Sequence, residues 1–424
     1  MRKKYNLLDK GEILFKFGVF SLISAPLIGI ISIFLSSLLS IITNKNSLFK
    51  DKLNVPIFVS LGILTISTLR NLIFFHGVSN RTNLFLEVFN WIPFFLIFLG
   101  VPYYLKKQSQ REIFSKLIII GSFPILISSF LQKYFNIYGP FSILNGLIVW
   151  YQRRPGYDSS DNITGLFNNP NYTGFILCAI IPFLIFEIIK NKRKPINFII
   201  CIIIFGLFLL NIILTQSRNA MLGAFFSIAF VFSFKVILIF IISTLIILPL
   251  IFLLGSLLEI EAILVFYNQI INKVAALKFI SFLETIRYEI WQKSLLLIFE
   301  KPIFGWGGST FAALYLLKNG IFKIQHAHNL PLQMAQTYGL PFSLLLTSFI
   351  VFLIYKCIKI EFKKFNSINK YWTISLFVAS FHQLFDVVLY DGRLNIFYCI
   401  IIAGSKCIIS NEYENKLINS SNKY

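Results

Sequence analysis

Charged side chains are scarce in this chain of 424 residues, of which they make up only 13%. Hydrophobic residues make up 56%, and phenylalanine alone occurs 48 times. A water-soluble domain carries about twice that charged fraction. Alternating strand patterns are also missing, whereas apolar runs of roughly 20 residues, long enough for a helix to cross a bilayer, recur along the chain. We therefore predict an all-α polytopic membrane protein that has no part large enough to fold alone in water.

Cysteine and acidic side chains are also few. None of the five cysteines lies in a long polar loop, so we find no disulfide framework and no cysteine spacing typical of a metal site. Only 18 acidic residues stand against 39 basic ones, which gives a formal net charge of +21. In a membrane protein the distribution of this excess among the loops is informative, and we expect no nucleic-acid partner. The cysteines are Cys178, Cys201, Cys357, Cys399 and Cys407.

The apolar runs predict about twelve transmembrane helices, within a range of ten to twelve. The first run is long for one helix, and Pro26 and Gly29 lie near its middle. Because basic clusters flank it on both sides, we interpret it as a tight helical hairpin. The runs lie near 12–42, 57–75, 84–105, 117–131, 172–189, 196–215, 219–234, 236–255, 337–355, 371–390 and 393–409.

This hairpin places both termini in the cytoplasm. With that choice 24 of the 39 basic residues fall in inner segments, as expected for cytoplasmic loops. Two long loops then lie outside: 132–171, which contains a candidate re-entrant segment at 141–150, and 256–336, for which we predict a helical external domain. We divide the chain into N-terminal helices (1–150), a core that includes the external loop (151–345), and C-terminal helices with a cytoplasmic tail (346–424).

The external loop contains a predicted helix over 284–298 with an arginine on its apolar half. Arg287 falls among isoleucine, leucine and tryptophan side chains, near Ser294. A charge on a packed face is costly unless it is paired or faces a polar cavity. Two interpretations stay open, an arginine bonded to helix-end carbonyls and an arginine that binds a ligand.

A glycine-rich segment follows, with three glycines in the four residues 305–308. Glycine lets the backbone approach another group closely, as in a phosphate cradle or a tight turn. Because no Walker pattern is present, we favour the turn.

His328 lies directly before a predicted helix. Asn329 is a good N-cap and Pro331 suits the first turn. The positive end of the helix disfavours an imidazolium ion, so a neutral ring there is suited to act as a general base. The same helix end can accept an anion. His326 is spaced to share a metal ion with His328, but no third ligand is evident, and we expect no metal.

Arg218 lies in a short outer turn between two apolar runs. It suits an interfacial anchor that reaches the headgroups, and equally an arginine that binds a diphosphate at the mouth of the helix bundle. Physical reasoning alone slightly favours the anchor.

Other polar positions carry weaker signals. Asp158 and Asp161 are more consistent with a solvated loop than with a metal site. Arg70 lies within an apolar run, which makes it a functional hypothesis by default. His382 and Asp386 are four residues apart in an apolar run, a spacing at which the two side chains can pair with each other.

In their order and spacing, these residues resemble the O-antigen ligase and polymerase superfamily of bacterial membrane glycosyltransferases. The resemblance covers roughly 160–345. Phe342, where the ligase signature has Gly, Thr or Tyr, and Asn219, where the family often has Gly, depart from the pattern. The matching elements are Gly165-Leu-Phe-Asn-Asn-Pro-Asn171, Ser217-Arg-Asn219, Arg287 followed by Trp291, Pro302-Ile-Phe-Gly-Trp-Gly307, and His328-Asn329 followed after nine residues by Gly339.

The resemblance implies that a glycan is transferred from undecaprenyl diphosphate to a saccharide acceptor at the outer face of the bacterial cytoplasmic (inner) membrane. The acceptor is a lipid A-core sugar for a ligase and another repeat unit for a polymerase, and the sequence does not choose between them. The reaction is implied to need neither metal nor cofactor. Arg218, Arg287 and His328 are the expected catalytic residues, and Asn171, Asn329, Arg153 and Arg154 the expected substrate-binding residues.

The alternative function is that of a flippase or transporter of polysaccharide or lipid-linked oligosaccharide. Transporters usually place ionisable residues near the middle of the membrane. Few charged residues lie at that depth in this chain, and the polar constellation is predicted at the outer mouth instead.

Overall fold

The computed structural model describes residues 2–75, 77–154, 162–232, 250, 286–319, 324–361 and 367–421. Helices dominate this part of the chain, which confirms the all-α fold class. The α-helices are α1 Arg2–Ser21, α2 Pro26–Thr43, α3 Lys45–Lys50, α4 Val55–Ile73, α5 Arg81–Leu86, α6 Ile92–Gly100, α7 Gln108–Gly121, α8 Phe123–Phe135, α9 Pro170–Asn191, α10 Pro195–Leu214, α11 Arg218–Val231, α12 Ile286–Glu300, α13 Phe311–Asn319, α14 Leu330–Tyr338, α15 Leu340–Glu361, α16 Ile368–His382 and α17 Gly392–Ser421. The 3₁₀ helices are Lys52–Asn54, Glu87–Asn90, Val101–Leu105 and Val388–Tyr390, and the strands are β1 Phe141–Ile143 and β2 Ile148–Trp150.

Eight helical segments in the described residues are long and apolar enough to cross a membrane, which confirms a multi-pass membrane protein. Helices α1, α11 and α16 run alongside them. The predicted run 236–255 and the first part of the predicted external domain, 256–285, lie outside the described residues. The eight segments are Pro26–Thr43, Lys52–Ile73, Arg81–Leu105, Gln108–Phe135, Pro170–Asn191, Pro195–Leu214, Leu340–Glu361 and Gly392–Glu414.

The first apolar run forms two helices, as predicted. Helix α1 ends at Ser21 and α2 begins at Pro26, whose fixed φ suits a first helical turn. A Cβ atom on Gly29 would lie 2.5 Å from the Cα atom of Leu22, so only glycine permits this approach of the two helices. The residues that suggested a break in the run therefore also allow the tight hairpin.

Polar contacts bring the basic segments together at one end of the helix bundle, here called the basic end. The Nζ atom of Lys406 lies 2.8 Å from Oδ2 of Asp51, and Nε of Arg111 donates a hydrogen bond of 2.8 Å to Oδ1 of Asn369. These residues belong to segments that the charge pattern places in the cytoplasm. The side of the membrane on which the basic end lies stays a prediction.

Helix α9 is the centre of the bundle. Every residue from Tyr172 to Glu187 is buried, because α7, α10, α11 and α16 surround the helix. Its first turn lies at the end opposite to the basic end, here called the site end. A side chain at this position is held by a rigid element, which is the usual requirement for a precise site.

The predicted run 371–390 is only partly helical. Helix α16 ends at His382, and the chain then turns before the 3₁₀ helix Val388–Tyr390. The predicted pairing of His382 with Asp386 is wrong: both ring nitrogens of His382 lack a hydrogen-bond partner among the described residues. The backbone N–H of Asp386 still donates to the carbonyl of His382 at 3.2 Å, but the carboxylate is directed to Asn171 and His328 instead of the His382 ring.

The candidate re-entrant segment 141–150 forms a β-hairpin. Strands β1 and β2 pair antiparallel, with Phe141 opposite Trp150 and Ile143 opposite Ile148. The indole Nε1 of Trp150 donates a hydrogen bond of 2.6 Å to the carbonyl of Ser24, in the turn between α1 and α2. The hairpin is thereby fixed to the site end of the bundle.

Candidate functional site

His328 is positioned by the first turn of α14. Asn329 is the N-cap, as predicted: its Oδ1 atom accepts a hydrogen bond of 3.0 Å from the backbone N–H of Leu332. Its Nδ2 atom donates to the carbonyl of Leu384 at 3.0 Å. Both ends of the Asn329 amide are therefore used to form the helix start and to dock it on the turn after α16. This docking brings His328 beside that turn.

A buried carboxylate meets His328 there. Nδ1 of His328 lies 3.2 Å from Oδ1 of Asp386, whose side chain is fully buried, while the His328 side chain is 26% exposed. No sequence pattern linked these two residues, which are 58 positions apart. A partly open imidazole backed by a buried carboxylate is the arrangement that orients a general base in many hydrolases and transferases.

Asp386 is held in turn by Asn171 in the first turn of α9. Nδ2 of Asn171 donates a hydrogen bond of 2.8 Å to Oδ2 of Asp386, and the Ser217 hydroxyl donates one of 2.7 Å to Oδ1 of Asn171. A continuous set of hydrogen bonds thus joins Ser217, Asn171, Asp386 and His328. The amide of Asn171, which we predicted to bind substrate, is engaged at both ends in this network.

The protonation of Asp386 follows from the same contacts. Burial alone would raise the pKa of the carboxyl. The hydrogen bond from His328, together with the positive charge that His328 and His326 carry when protonated, outweighs burial and lowers this pKa below its usual value. Asp386 is therefore an anion at neutral pH and accepts hydrogen bonds at both oxygens.

The hydrogen bonds also assign the tautomers of the two histidines. Nδ1 of His328 faces a carboxylate and must donate, so a neutral His328 keeps its lone pair at Nε2. Nδ1 of His326 accepts a hydrogen bond of 3.3 Å from the backbone N–H of His328, so a neutral His326 carries its proton at Nε2. Of the two rings, His328 is the one with a free lone pair on the side away from Asp386.

His326 packs directly against this pair. The ring centroids of His326 and His328 are 4.2 Å apart, and Nε2 of His326 lies 3.9 Å from Oδ1 of Asp386. Burial and the neighbouring His328 lower the pKa of His326 to about 4. His326 is therefore neutral at pH 7.

The three side chains also form a possible metal-ligand set. One ligand atom each from His326, His328 and Asp386 lie within 4.8 Å of one another. Two imidazoles and a carboxylate are donors that Zn²⁺ accepts. The third ligand, absent from the sequence argument, is supplied by the turn after α16. The tautomer of His326 opposes coordination, since its Nε2 carries a proton rather than a lone pair. The other acidic candidates, Asp158 and Asp161, lie outside the described residues.

Arg287 lies in the first turn of α12, which packs against α14. Burial lowers the pKa of its guanidinium, the charge of Asp386 raises it, and the charge of Arg218 lowers it. Asp386 and Arg218 are thus close enough to act on the charge of Arg287. The ligand-binding role of Arg287 stays a prediction.

Arg218 begins helix α11. Ser217 is the N-cap of this helix, and its Oγ atom accepts a hydrogen bond of 3.3 Å from the backbone N–H of Ala220. The Arg218 side chain is exposed. The same serine that caps α11 donates to Asn171, so the position of Arg218 is tied to the network that ends at His328.

The glycine segment, residues 302–308, is a turn, as predicted. The backbone N–H groups of Trp306 and Gly307 donate to the carbonyls of Gln336 and Thr337 at 2.8 and 2.9 Å. They are therefore occupied by the last turn of α14 and do not cradle a phosphate. A Cβ atom on Gly339 would come within 1.9 Å of a carbonyl oxygen of this segment. The glycines allow two backbones to pack against each other and thereby fix α14.

Other predicted residues lie apart from this cluster. The guanidinium carbon of Arg70 lies 4.7 Å from the ring centroid of Phe304, so Arg70 packs on the glycine segment. Arg154 stacks on Tyr138 at 5.4 Å. Within the described part of the chain, no contact joins Arg154 or Arg153 to His328.

A second buried carboxylate was missed by the sequence analysis because it lies inside an apolar run. The carboxylate of Glu87 accepts hydrogen bonds from the backbone N–H and hydroxyl of Ser309 and, at 3.3 Å, from the hydroxyl of Tyr390. The ring of Tyr390 lies 5.8 Å from that of His326. Glu87 therefore connects the N-terminal helices to Ser309, which directly follows the glycine segment, and to Tyr390 beside His326.

The region that carries the two arginines and the histidine is similar to a known family. Residues 203–347 match the family model described as O-Antigen ligase, and the matched segment contains Arg218, Arg287 and His328. The match confirms the resemblance to the O-antigen ligase and polymerase superfamily. It supports a glycosyltransferase-type membrane enzyme that acts in the assembly of polysaccharide or lipopolysaccharide. Asn171 and Asp386 lie outside the matched segment. No curated protein matches the chain.

Proposed function

We propose, from this similarity and from the geometry of the site, that the chain transfers a glycan from undecaprenyl diphosphate to a saccharide acceptor. The acceptor is a lipid A-core sugar or another glycan, and the reaction takes place at the outer face of the bacterial cytoplasmic membrane, with both termini inside. The observation that carries the proposal is the contact of His328 with the buried carboxylate of Asp386, close to the charge of Arg287.

His328 acts as the general base in this proposal. Its Nε2 atom takes the proton of the acceptor hydroxyl as the oxygen attacks the anomeric carbon of the donor sugar. Asp386 keeps Nδ1–H in place and stabilises the imidazolium that forms. Asn171 positions Asp386 through its amide and acts through that carboxylate.

Arg218 and Arg287 stabilise the leaving group. As the bond from the anomeric carbon to the phosphate oxygen breaks, its electron pair stays with the diphosphate, which gains negative charge. Fixed cations in a partly dry site stabilise that charge most at this moment. A planar guanidinium can bind two phosphate oxygens at once, which suits a diphosphate better than a lysine does.

The remaining predicted contacts have more limited roles. Asn329 is the N-cap of the helix that follows His328, and we propose that it lies beside the bound acceptor. Arg153 and Arg154 follow the hairpin 141–150 at the site end and are proposed to contact anionic groups near the membrane surface on the donor side. The chemistry is proposed to be free of metal, because the two arginines supply the positive charge that a metal would otherwise provide.

The proposal is tested with purified protein, a lipid-linked glycan donor and a saccharide acceptor. We expect a transferred product and release of undecaprenyl diphosphate in equal amounts. In the His328→Ala variant, transfer should fall by ~10²–10⁴ while donor binding is kept. Movement of intact lipid-linked donor across a vesicle membrane without transfer would contradict the proposal and favour a flippase. The surface polysaccharide of a strain in which the gene is deleted then distinguishes a ligase from a polymerase. Loss of all long glycan on the lipid core indicates a ligase, and a single repeat unit that is still attached indicates a polymerase.

A further inference from the structure

The hairpin 141–150 presents an apolar tip. Ile143, Leu144 and Leu147 are 47%, 61% and 42% exposed, and only Ser142, Asn145 and Gly146 interrupt the apolar side chains of this segment. Turns that face water are usually built from glycine, proline and polar residues. Asn145 and Gly146 at this tip are of that kind, but Leu144 and Leu147 on either side of them expose apolar side chains that water disfavours.

Hydrogen bonds hold the hairpin with these exposed side chains in a fixed position on the helix bundle. Trp150 anchors β2 to the carbonyl of Ser24, and Nε2 of Gln152 donates a hydrogen bond of 3.1 Å to the carbonyl of Ser128 in α8. The backbone N–H of Gly139 donates to the carbonyl of Gln152 at 2.8 Å, which closes the base of the hairpin. The tip is therefore held in one orientation relative to α8 and to the turn between α1 and α2.

This apolar surface continues that of a membrane span. Helix α8 forms the second half of the candidate span Gln108–Phe135. Its side chains Ile127, Phe130 and Phe135 are 59%, 53% and 62% exposed, as expected for side chains that face lipid. The hairpin follows directly on this helix, so the surface that faces lipid extends along the chain beyond the end of the span.

The charge around the hairpin is of one sign. From residue 123 to 154 the chain contains no acidic side chain, while Lys133, Arg153 and Arg154 flank the hairpin. The Arg154 guanidinium stacks on Tyr138, and tyrosine is enriched at the level of the headgroups. Basic residues beside an apolar surface are attracted to anionic phospholipid headgroups.

The strands limit how deep the hairpin can lie. Its sheet has two strands in the part of the chain described, so the outward N–H and C=O groups of both edges lack strand partners. Hydrocarbon does not tolerate such groups, whereas headgroups and water satisfy them. We propose that the hairpin lies in the headgroup layer on the site side of the membrane, with Leu144 and Leu147 directed to the acyl chains and Arg154 on the phosphates of anionic phospholipids.

Fluorescence quenching tests this placement in vesicles of phosphatidylcholine and phosphatidylglycerol. Cys201, the partly exposed native cysteine, is replaced by serine, and Leu144→Cys is labelled with an environment-sensitive dye. We expect a headgroup nitroxide lipid to quench this label more strongly than a mid-chain nitroxide or aqueous iodide does. Gln292→Cys, exposed on the polar half of α12, is the control and should be quenched by iodide alone. Size-exclusion profiles establish that the labelled variants are folded.

Two outcomes overturn the placement: quenching of the Leu144 label by iodide to the level of the Gln292 label, or strongest quenching by the mid-chain nitroxide. The charge is tested separately. Headgroup quenching should rise with the fraction of phosphatidylglycerol, and Arg154→Gln should weaken this dependence; an unchanged dependence would refute the anionic contact. No activity is measured, so the result stands apart from the proposed glycan transfer.

Discussion

Nδ1 of His328 lies 3.2 Å from Oδ1 of Asp386, and this contact joins the loop before α14 to the turn after α16. The carboxylate is fully buried and also accepts a hydrogen bond from Asn171. A buried anion with several donors is rigid, and it fixes both the orientation and the tautomer of the histidine that it contacts. The position of this carboxylate therefore decides which nitrogen of His328 can take a proton.

Replacing Asp386 by asparagine should separate chemistry from binding. The amide is nearly isosteric but can present N–H to Nδ1, which favours the tautomer with the proton at Nε2 and removes the base. We expect kcat to fall by ~10²–10⁴ with the KM for donor little changed. Glu300→Gln, an exposed carboxylate on α12, is the matched control and should keep wild-type kinetics. Equal kcat for Asp386→Asn and wild type would remove Asp386 from the mechanism.

The arginine pair is tested by a double-mutant cycle. If Arg218 and Arg287 hold one diphosphate, each alanine variant should lower kcat/KM by ~10²–10³, as for the loss of one charge-stabilising donor. The double variant should lose less than the product of the two effects, because the residues share a ligand. Arg287→Lys should restore activity only in part, since a point charge replaces a planar fork. Lys318→Ala, an exposed charge on α13, controls for net charge. Fully multiplicative losses would indicate two separate sites.

Much of the fold followed from local patterns in the sequence. Pro26 and Gly29 marked the helical hairpin, and Asn329 marked the start of α14, because caps and breaks act within a few residues. The partner of His328 could not be predicted from the sequence. Asp386 lies in the apolar run 371–390, but the helix in that run ends at His382, before the hydrophobic pattern does. Glu87 was missed for a related reason: a single carboxylate among apolar residues shows neither its donors nor its depth until Ser309 and Tyr390 are placed beside it.

Gly339 should be intolerant of any side chain. Its φ is +96°, and a Cβ atom would lie 1.9 Å from a carbonyl oxygen of the glycine segment. Gly339→Ala should therefore destabilise the protein by roughly 2–5 kcal/mol through strain and displaced backbone. Gly206, in the middle of α10, is the matched control, because a Cβ atom there would meet nothing within 4 Å. Gly206→Ala should be neutral or stabilising by about 0.5–1 kcal/mol. Thermal unfolding in detergent compares the two, and similar Tm values would contradict the prediction.

His326 should make stability depend on pH. Its pKa is lowered from 6.5 to about 4 by burial and by His328, in a surrounding that also contains Asp386 and Arg287. Between these two pH values the unfolded state binds a proton that the folded state does not, so stability should fall as the pH falls from about 6.5 to 4, by at most about 3 kcal/mol. Thermal unfolding at about pH 7 and about pH 5, on either side of the unfolded pKa of about 6.5, measures this loss as a fall in Tm. The His326→Gln variant should show a smaller fall in Tm than the wild type. An equal loss of Tm in both proteins would assign the pH dependence to other groups.

Chelation decides whether the arginines or a metal neutralise the leaving group. The His326, His328 and Asp386 cluster has ligand atoms within 4.8 Å of one another, but the hydrogen bond into Nδ1 of His326 leaves a proton on the nitrogen that would have to coordinate. We therefore expect transfer by the purified protein to be the same with and without EDTA. Abolition by EDTA and recovery with a divalent ion would overturn the metal-free scheme. In that case His326→Ala should abolish the metal requirement together with activity, whereas under the metal-free scheme it should leave most of the transfer intact, since His328 and Asp386 retain their hydrogen bond.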